Sequence, residues 1–301
     1  YKGVSWWGTD FTVSREMKGK RIKIFFSEGI RQRAEVFVNR KLVGYELVHQ
    51  TPFEIDVTDV VNYGSNNELA VRITDPSGNF SWGDYTGDKW GDYLFPQSHG
   101  FGGILGAVEL RSVSPLYVSD VFVKNKPSLK DIDVDIEIIN EASSKVLKGS
   151  VDVAIVEAWK GNAPVTDPKT LFTKNLGKMN VKTGETIKLT FSASVPEARL
   201  WELKNSNLYN VVTTIKDSKG KVVDQHKQRF GFRFLSVEGY GKNATLNFNG
   251  KRTLLISSIS WGYWPTNGMY PTRELARKHI ESAFILGQNM LNFHRCQGNP
   301  Q

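Results

Sequence analysis

The sequence predicts a mostly β chain: two β-sandwiches in tandem, then the opening helix and strand of an α/β domain. Three observations carry this. Short alternating apolar runs recur between turn residues, and no helix-period segment of useful length interrupts them over residues 1–113. Pro115 opens a second set of strands. Beyond about residue 236 the pattern changes to a hairpin, a helical apolar stripe and a short apolar run.

Composition bounds what the chain can be. Its 301 residues suffice for two ordinary domains and part of a third. With 40% apolar residues, 17 Phe, 10 Tyr and 8 Trp, it can bury sizeable cores, which excludes a disordered chain. Aromatics at this level suit stacking against sugar faces and suit sandwich cores equally well. The net charge of +8 is scattered, as in Arg31-Gln32-Arg33-Ala34-Glu35, with no long basic run. That patterning indicates a solvated surface and no nucleic-acid partner. Cys296 is the single cysteine, so no internal disulfide forms. No apolar run reaches the roughly 18 residues of a membrane span, so no membrane partner is expected, and no cofactor or metal is implied. The chain begins at Tyr1 without methionine and stops at Gln301 within a motif. We therefore expect it to be trimmed at both ends, with a signal peptide removed from a periplasmic or secreted protein.

In the first domain, residues 1–113, strands are expected at Arg21–Phe26, Ala34–Asn39, Phe53–Val57 and Glu68–Ile73. Asn39-Arg40-Lys41 reads as a hairpin turn. Residues 75–103 form a long loop dense in rings, glycines and carboxylates: Asp75, Trp82, Asp84, Tyr85 and Trp90, closing on His99 and three glycines. A loop of this length in a compact sandwich has a function. Rings beside carboxylates are what a sugar site needs, a stacking face plus acceptors for paired hydroxyls. Packing against a following domain competes with that reading, and for His99 a structural hydrogen bond competes with ligand contact.

In the second domain, residues 114–235, Asp131 to Asn140 alternates acid and apolar residues without a break, a half-buried strand. Its four acids share one face and read as solvated rather than metal-binding. Leu208–Ile215, a turn at Asp217–Gly220 and a return strand from Lys221 form a strand pair. Trp201 and Tyr209 are expected to cap the core, with Phe230, Phe232 and Phe234 alternating onto one face. The length suits a seven-stranded immunoglobulin-like sandwich, and it contains no candidate chemistry.

In the third part, residues 236–301, Asn249-Gly250 makes a hairpin turn. Thr272 is the expected N-cap of a helix with its stripe at Leu275, Ala276, Ile280, Ala283, Phe284 and Leu286. The helix ends at Gly287, and Asn289–Phe293 is expected as a buried strand, giving one unit of a barrel.

The order of these parts resembles glycoside hydrolase family 2, which holds β-galactosidases, β-glucuronidases and β-mannosidases. Three stretches of the first domain are similar to the family's N-terminal jelly-roll: Ala34 to Gly44 with its Asn39 turn, Thr51 to Thr58, and Asn66 to Arg72. Trp201, then Leu208-Tyr209, then Phe230-Gly231-Phe232-Arg233, then Asn249-Gly250-Lys251 resembles the end of its central sandwich, with Asn207 where a proline is usual. Gly287 to Arg295 resembles the start of its catalytic (β/α)8 barrel. The resemblance implies a galactose-binding-like jelly-roll, an immunoglobulin-like sandwich and a truncated barrel. It implies a retaining exo-glycosidase of β-linked sugars, with His294 and Arg295 as substrate-pocket residues and loops of the jelly-roll shaping the pocket mouth. The family's two catalytic glutamates would lie beyond Gln301; Asp84, Asp88, Glu202 and Glu274 match neither, so the 301 residues alone are expected to be inactive. A stand-alone carbohydrate-binding module and a sandwich-type interaction protein are the alternatives, and neither needs the barrel-like third part. Without the rest of a barrel, the helix and strand after residue 272 would expose apolar surface. They are then expected to fold onto the second domain or to self-associate.

Overall fold

The computed structural model describes residues 3–31, 33–47, 51–75, 89–90, 93–94, 103–260 and 273–293. They fall in two compact units, Tyr1–Val113 with Leu255–Gln301, and Ser114–Leu254.

In the first unit, residues 3–113 supply β1 (Gly3–Thr12), β2 (Arg21–Phe26), β3 (Ile30–Arg31), β4 (Arg33–Val38), β5 (Lys41–Glu46), β6 (Phe53–Asp56) and β7 (Asn66–Asp75). Then come β8 (Lys89–Trp90), β9 (Tyr93–Leu94), β10 (Gly103–Ile104) and β11 (Val108–Val113). A four-stranded sheet in the order β1-β7-β4-β5 faces a three-stranded one, β11-β2-β6. Each sheet gives alternate residues to one shared core: Val36, Val71 and Ile73 from the first, Ile22, Ile24 and Phe26 from the second. The expected strands are all present. Lys23, only 5% exposed, reaches Glu54 at 2.9 Å, the pairing a buried ammonium needs.

The turn joining β4 to β5 is Asn39-Arg40, both in the left-handed region at φ 50° and 65°. Positive φ at both central positions is the turn that matches strand twist. Asn39 is fixed there: its side-chain nitrogen donates to Val60 O and Asn67 Oδ1, each at 2.9 Å, and its Oδ1 accepts from Glu68 N at 3.0 Å. Arg40 gains little from its site, being 90% exposed with Glu68 at 3.7 Å. A side chain at positive φ costs about 1–2 kcal/mol, and the greater chain entropy of unfolded glycine offsets part of what its removal relieves. Arg40→Gly is therefore expected to stabilise the protein by about 0.5–1 kcal/mol, read as a raised denaturant midpoint. A lowered midpoint would show that Arg40 makes a contact worth more than its strain.

The second unit is a sandwich built from β12 (Leu116–Asn125), β13 (Asp131–Asn140), β14 (Leu147–Lys160), β15 (Ala163–Pro164), β16 (Thr170–Val181), β17 (Thr186–Ser194), β18 (Leu208–Asp217) and β19 (Val222–Phe230). One sheet runs β12-β13-β17; the other runs β15-β14-β18-β19, with β16 also on β14. Ile132, Val134, Ile136 and Ile138 are all fully buried, as the alternation requires. The acids between them are not merely solvated. Asp135 meets Lys188 at 2.7 Å and Lys124 at 3.0 Å, Asp133 meets Lys126 at 2.6 Å, and the cations come from both flanking strands or their ends.

Hydrogen bonds from Lys188, Lys124 and Thr190 hold the Asp135 carboxyl down at about 2. A carboxyl with a folded value below its unfolded one adds stability that is complete above about pH 4 and lost as pH falls toward 2. The melting temperature should drop across that window, and Asp135→Asn should flatten the drop. An equal slope in the variant would assign acid sensitivity to other groups.

Tyr209 is 2% exposed; its hydroxyl accepts from Arg199 N at 2.7 Å and donates to Arg199 O at 3.3 Å, and burial raises its pKa. A tyrosine at the start of a late strand bonding back to upstream backbone is the corner device of immunoglobulin-like sandwiches. Asn207, in the place of the usual proline, is 4% exposed, donates to Leu200 O at 2.9 Å and accepts from Gly161 N at 3.0 Å. The expectation for the three phenylalanines needs correction. Phe230 and Phe232 are buried, but β19 ends at Phe230, and Phe234 is half-exposed outside any strand. The alternation stops because the strand does.

A meander follows: β20 (Leu235–Glu238), β21 (Thr245–Phe248) and β22 (Lys251–Arg252). Its Asn249-Gly250 turn has φ 51° and 74°. Then come β23 (Ile259–Ser260), α1 (Arg273–Ile285) and β24 (Asn292–Phe293), with β23 and β24 paired in parallel. Gly287 sits at φ 76°, Gly287 N donates to Phe284 O and Gln288 N to Ala283 O, so the helix closes in a Schellman motif as its glycine predicts. Asn289 clasps the two sides of the unit, accepting from Ile256 N at 2.8 Å and donating through its own N to Ile256 O at 3.0 Å.

One expectation fails here, and so does one of the two alternatives of another. Asn289–Phe293 is not a buried strand: pairing covers only Asn292–Phe293, and Met290 is 36% exposed. The segment also groups with residues of the first sandwich's unit rather than with the second sandwich. Its apolar exposure is as expected, with Ile280, Phe284 and Leu286 all open. Thr272 lies outside the described residues.

Candidate functional site

The ring-rich segment 75–103 is anchored at both ends by strand pairing. Asp75 ends β7 opposite Gly3 of β1, and Gly103 returns in β10 opposite Arg31 of β3. Between them, Trp90 of β8 pairs antiparallel with Tyr93 of β9. The sequence-predicted Trp82, Asp84, Tyr85, His99, His294 and Arg295 lie outside the described residues. His294 and Arg295 directly follow β24 in the sequence, and ligands of parallel α/β arrangements bind at the C-terminal ends of strands.

The structure adds a residue that the sequence pattern did not single out. Trp7 lays its ring against the backbone of Gly103, its Cζ2 only 3.5 Å from where a Cβ would stand, and Gly103 has φ 150°. Trp7 is 44% exposed and its Nε1 donates to Ser5 Oγ at 3.0 Å. A tryptophan is thus set at the return of the ring-rich segment. The signal was the Trp6-Trp7 doublet, which breaks the alternation of an ordinary strand.

Other polar clusters are spent on structure. An open depression of about 410 Å³ in the second sandwich is lined by Lys130, Arg199, Glu202, Asn205 and Asn207. Lys130 donates to Pro196 O, Asn207 bonds Leu200 O and Gly161 N, and Glu202 faces Lys251 at 3.6 Å. Glu274 pairs with Lys278 at 2.9 Å, one helical turn on. No group of three or more His, Cys, Asp or Glu residues could hold a metal ion among the described residues.

Residues 116–233 match the model of the family described as Glycosyl hydrolases family 2. The resemblance is to glycosyl hydrolase family 2, and it runs the length of the chain. A β-glucuronidase of Formosa agariphila is 24% identical over all of this chain and 30% of its own length. A β-galactosidase of Thermoanaerobacter pseudethanolicus is 27% identical over all of this chain and 37% of its own. Among solved structures, a family 2 member from Bacteroides cellulosilyticus superposes with a TM-score of 0.79 at 21% identity, covering all of this chain and 38% of that one. The chain therefore spans about a third of the length of the family 2 relatives it matches.

Proposed function

We propose that these residues are the N-terminal portion of a retaining, exo-acting family 2 hydrolase of β-linked glycosides. In this reading residues 1–113 are the jelly-roll domain, 114–235 the immunoglobulin-like brace, and 236–301 the beginning of the catalytic barrel. The observation that carries it is the parallel β23–α1–β24 unit placed after two sandwiches, in a chain that resembles family 2 from end to end. A binding module has no need of that unit. A free interaction protein has none either.

The substrate pocket would form at the C-terminal ends of the parallel strands, where His294 and Arg295 would bind sugar hydroxyls or a charged substituent. Asp75, Trp82, Asp84, Tyr85, Trp90 and His99 would shape its mouth, the rings by stacking and the carboxylates by accepting hydroxyl protons. The acid/base and nucleophile would be two carboxylates about 5 Å apart, as retention requires, supplied by residues other than these 301.

The test is hydrolysis of 4-nitrophenyl β-galactoside, β-glucuronide and β-mannoside by the complete protein that carries this sequence, with NMR of the first-formed anomer. Release with retention is expected, and none from the 301 residues alone. Turnover of no β-glycoside, or inversion at the anomeric carbon, would sink the reading.

A further inference from the structure

The first sandwich has a second aromatic feature, on the face of its four-stranded sheet that points away from the core. Register places Trp6 of β1 opposite Arg72 of β7, Arg72 opposite Glu35 of β4, and Glu35 opposite Tyr45 of β5. Along β7 and β4 this row alternates with the buried Val71, Ile73, Ala34 and Val36, so its members share the outer face. The rings at its ends are 61% and 67% exposed. The centre is an ion pair, Arg72 Nη1 to Glu35 Oε2 at 2.5 Å, with both side chains still 36% and 44% open.

The next row on this face, two residues along β1, β7 and β4 and three along β5 across a bulge, is Gly8, Ala70, Phe37 and Leu42. Trp6 leans its ring on Phe37 at 5.6 Å between centroids, across the small Ala70 of the strand between them. Three strand spacings separate Trp6 from Tyr45, about 14 Å, the reach of a short oligosaccharide rather than of a single sugar.

We propose that this face binds a glycan chain. Trp6 and Tyr45 would each stack on the apolar face of a sugar ring. Between them the guanidinium would donate to hydroxyl oxygens and the carboxylate would accept hydroxyl protons, so one pair of fixed charges complements adjacent hydroxyls. A protein partner fits the row less well, because interface centres favour apolar anchors and exclude charge, and here the half-open charges lie at the centre. The inference stands independently of the hydrolase reading, since none of its residues belongs to the 75–103 loop or to β24.

Affinity electrophoresis of the 301-residue chain through gels holding β-1,4-galactan, xyloglucan or polygalacturonate tests it. At least one polysaccharide should retard the chain. Trp6→Ala and Tyr45→Ala should each weaken that retardation about tenfold, the scale of one lost aromatic contact, while Trp6→Phe should restore part of it. Both positions are exposed, and unchanged thermal melts would show the fold intact. No retardation by any of the three polysaccharides would overturn the proposal. So would full retardation of a Trp6→Ala/Tyr45→Ala double variant, which would move binding elsewhere. A concentration-dependent dimer abolished by Trp6→Ala would overturn it too, by making the face a contact between copies.

Discussion

Phe232→Ala is expected to cost about 4 kcal/mol, a loss on the scale of the largest single core truncations. Phe232 is fully buried in an irregular stretch just past β19, where its ring stands edge-on to Tyr209 at 5.2 Å and to Phe230 at 5.0 Å. Removing it leaves a void between two rings that cannot collapse inward. Tyr209 is tied through its hydroxyl to Arg199, and Phe230 is held by pairing with Tyr209. The backbone has equally little room: Phe232 O accepts from Trp201 N at 2.9 Å, and a Cβ at Gly231 would stand 3.0 Å from that of Trp201. Urea unfolding should show a lower midpoint with an unchanged slope. Phe234→Ala, at a half-exposed position, should cost no more than about 1 kcal/mol. If the two variants lose equal stability, the core does not close on Phe232 as described.

That contrast also marks how far the sequence could be read. Alternation through Asp131 to Asn140 placed the buried face correctly, because a strand with one wet side must put every second residue inside. It could not say that Lys124, Lys126 and Lys188 would meet the acids, since those partners are set by the register of separate strands. Extending the same period through Phe234 failed, because period two describes a strand and the strand had ended. The helix stripe from Leu275 was legible, and so was the exposure of its apolar residues, which Ile280, Phe284 and Leu286 show.

The candidate sites divide along the same line. The ring-rich segment announced itself by composition, and its anchoring at Asp75 and Gly103 agrees with a loop rooted in the first sandwich. The row from Trp6 to Tyr45 did not. Its members, Trp6, Glu35, Tyr45 and Arg72, come from four separate strands, and only strand pairing brings them side by side.

Asn249→Ala is expected to cost about 3 kcal/mol, through two separable effects. Asn249 is 8% exposed and links the meander to the sandwich: its Oδ1 accepts from Phe234 N at 2.9 Å and its Nδ2 donates to Trp201 O at 2.8 Å. Truncation leaves both backbone groups without those partners, worth about 1 kcal/mol or more each. Alanine must also hold φ near 51°, which costs about 1 kcal/mol that asparagine tolerates better. Asn249→Gly removes the hydrogen bonds without that strain, so it should lose about 1 kcal/mol less than alanine. Hydrogen exchange at the Phe234 amide should quicken in both variants. Equal losses for Gly and Ala would mean the turn is not strained. An unchanged Phe234 amide would mean that Asn249 does not join the meander to the second sandwich.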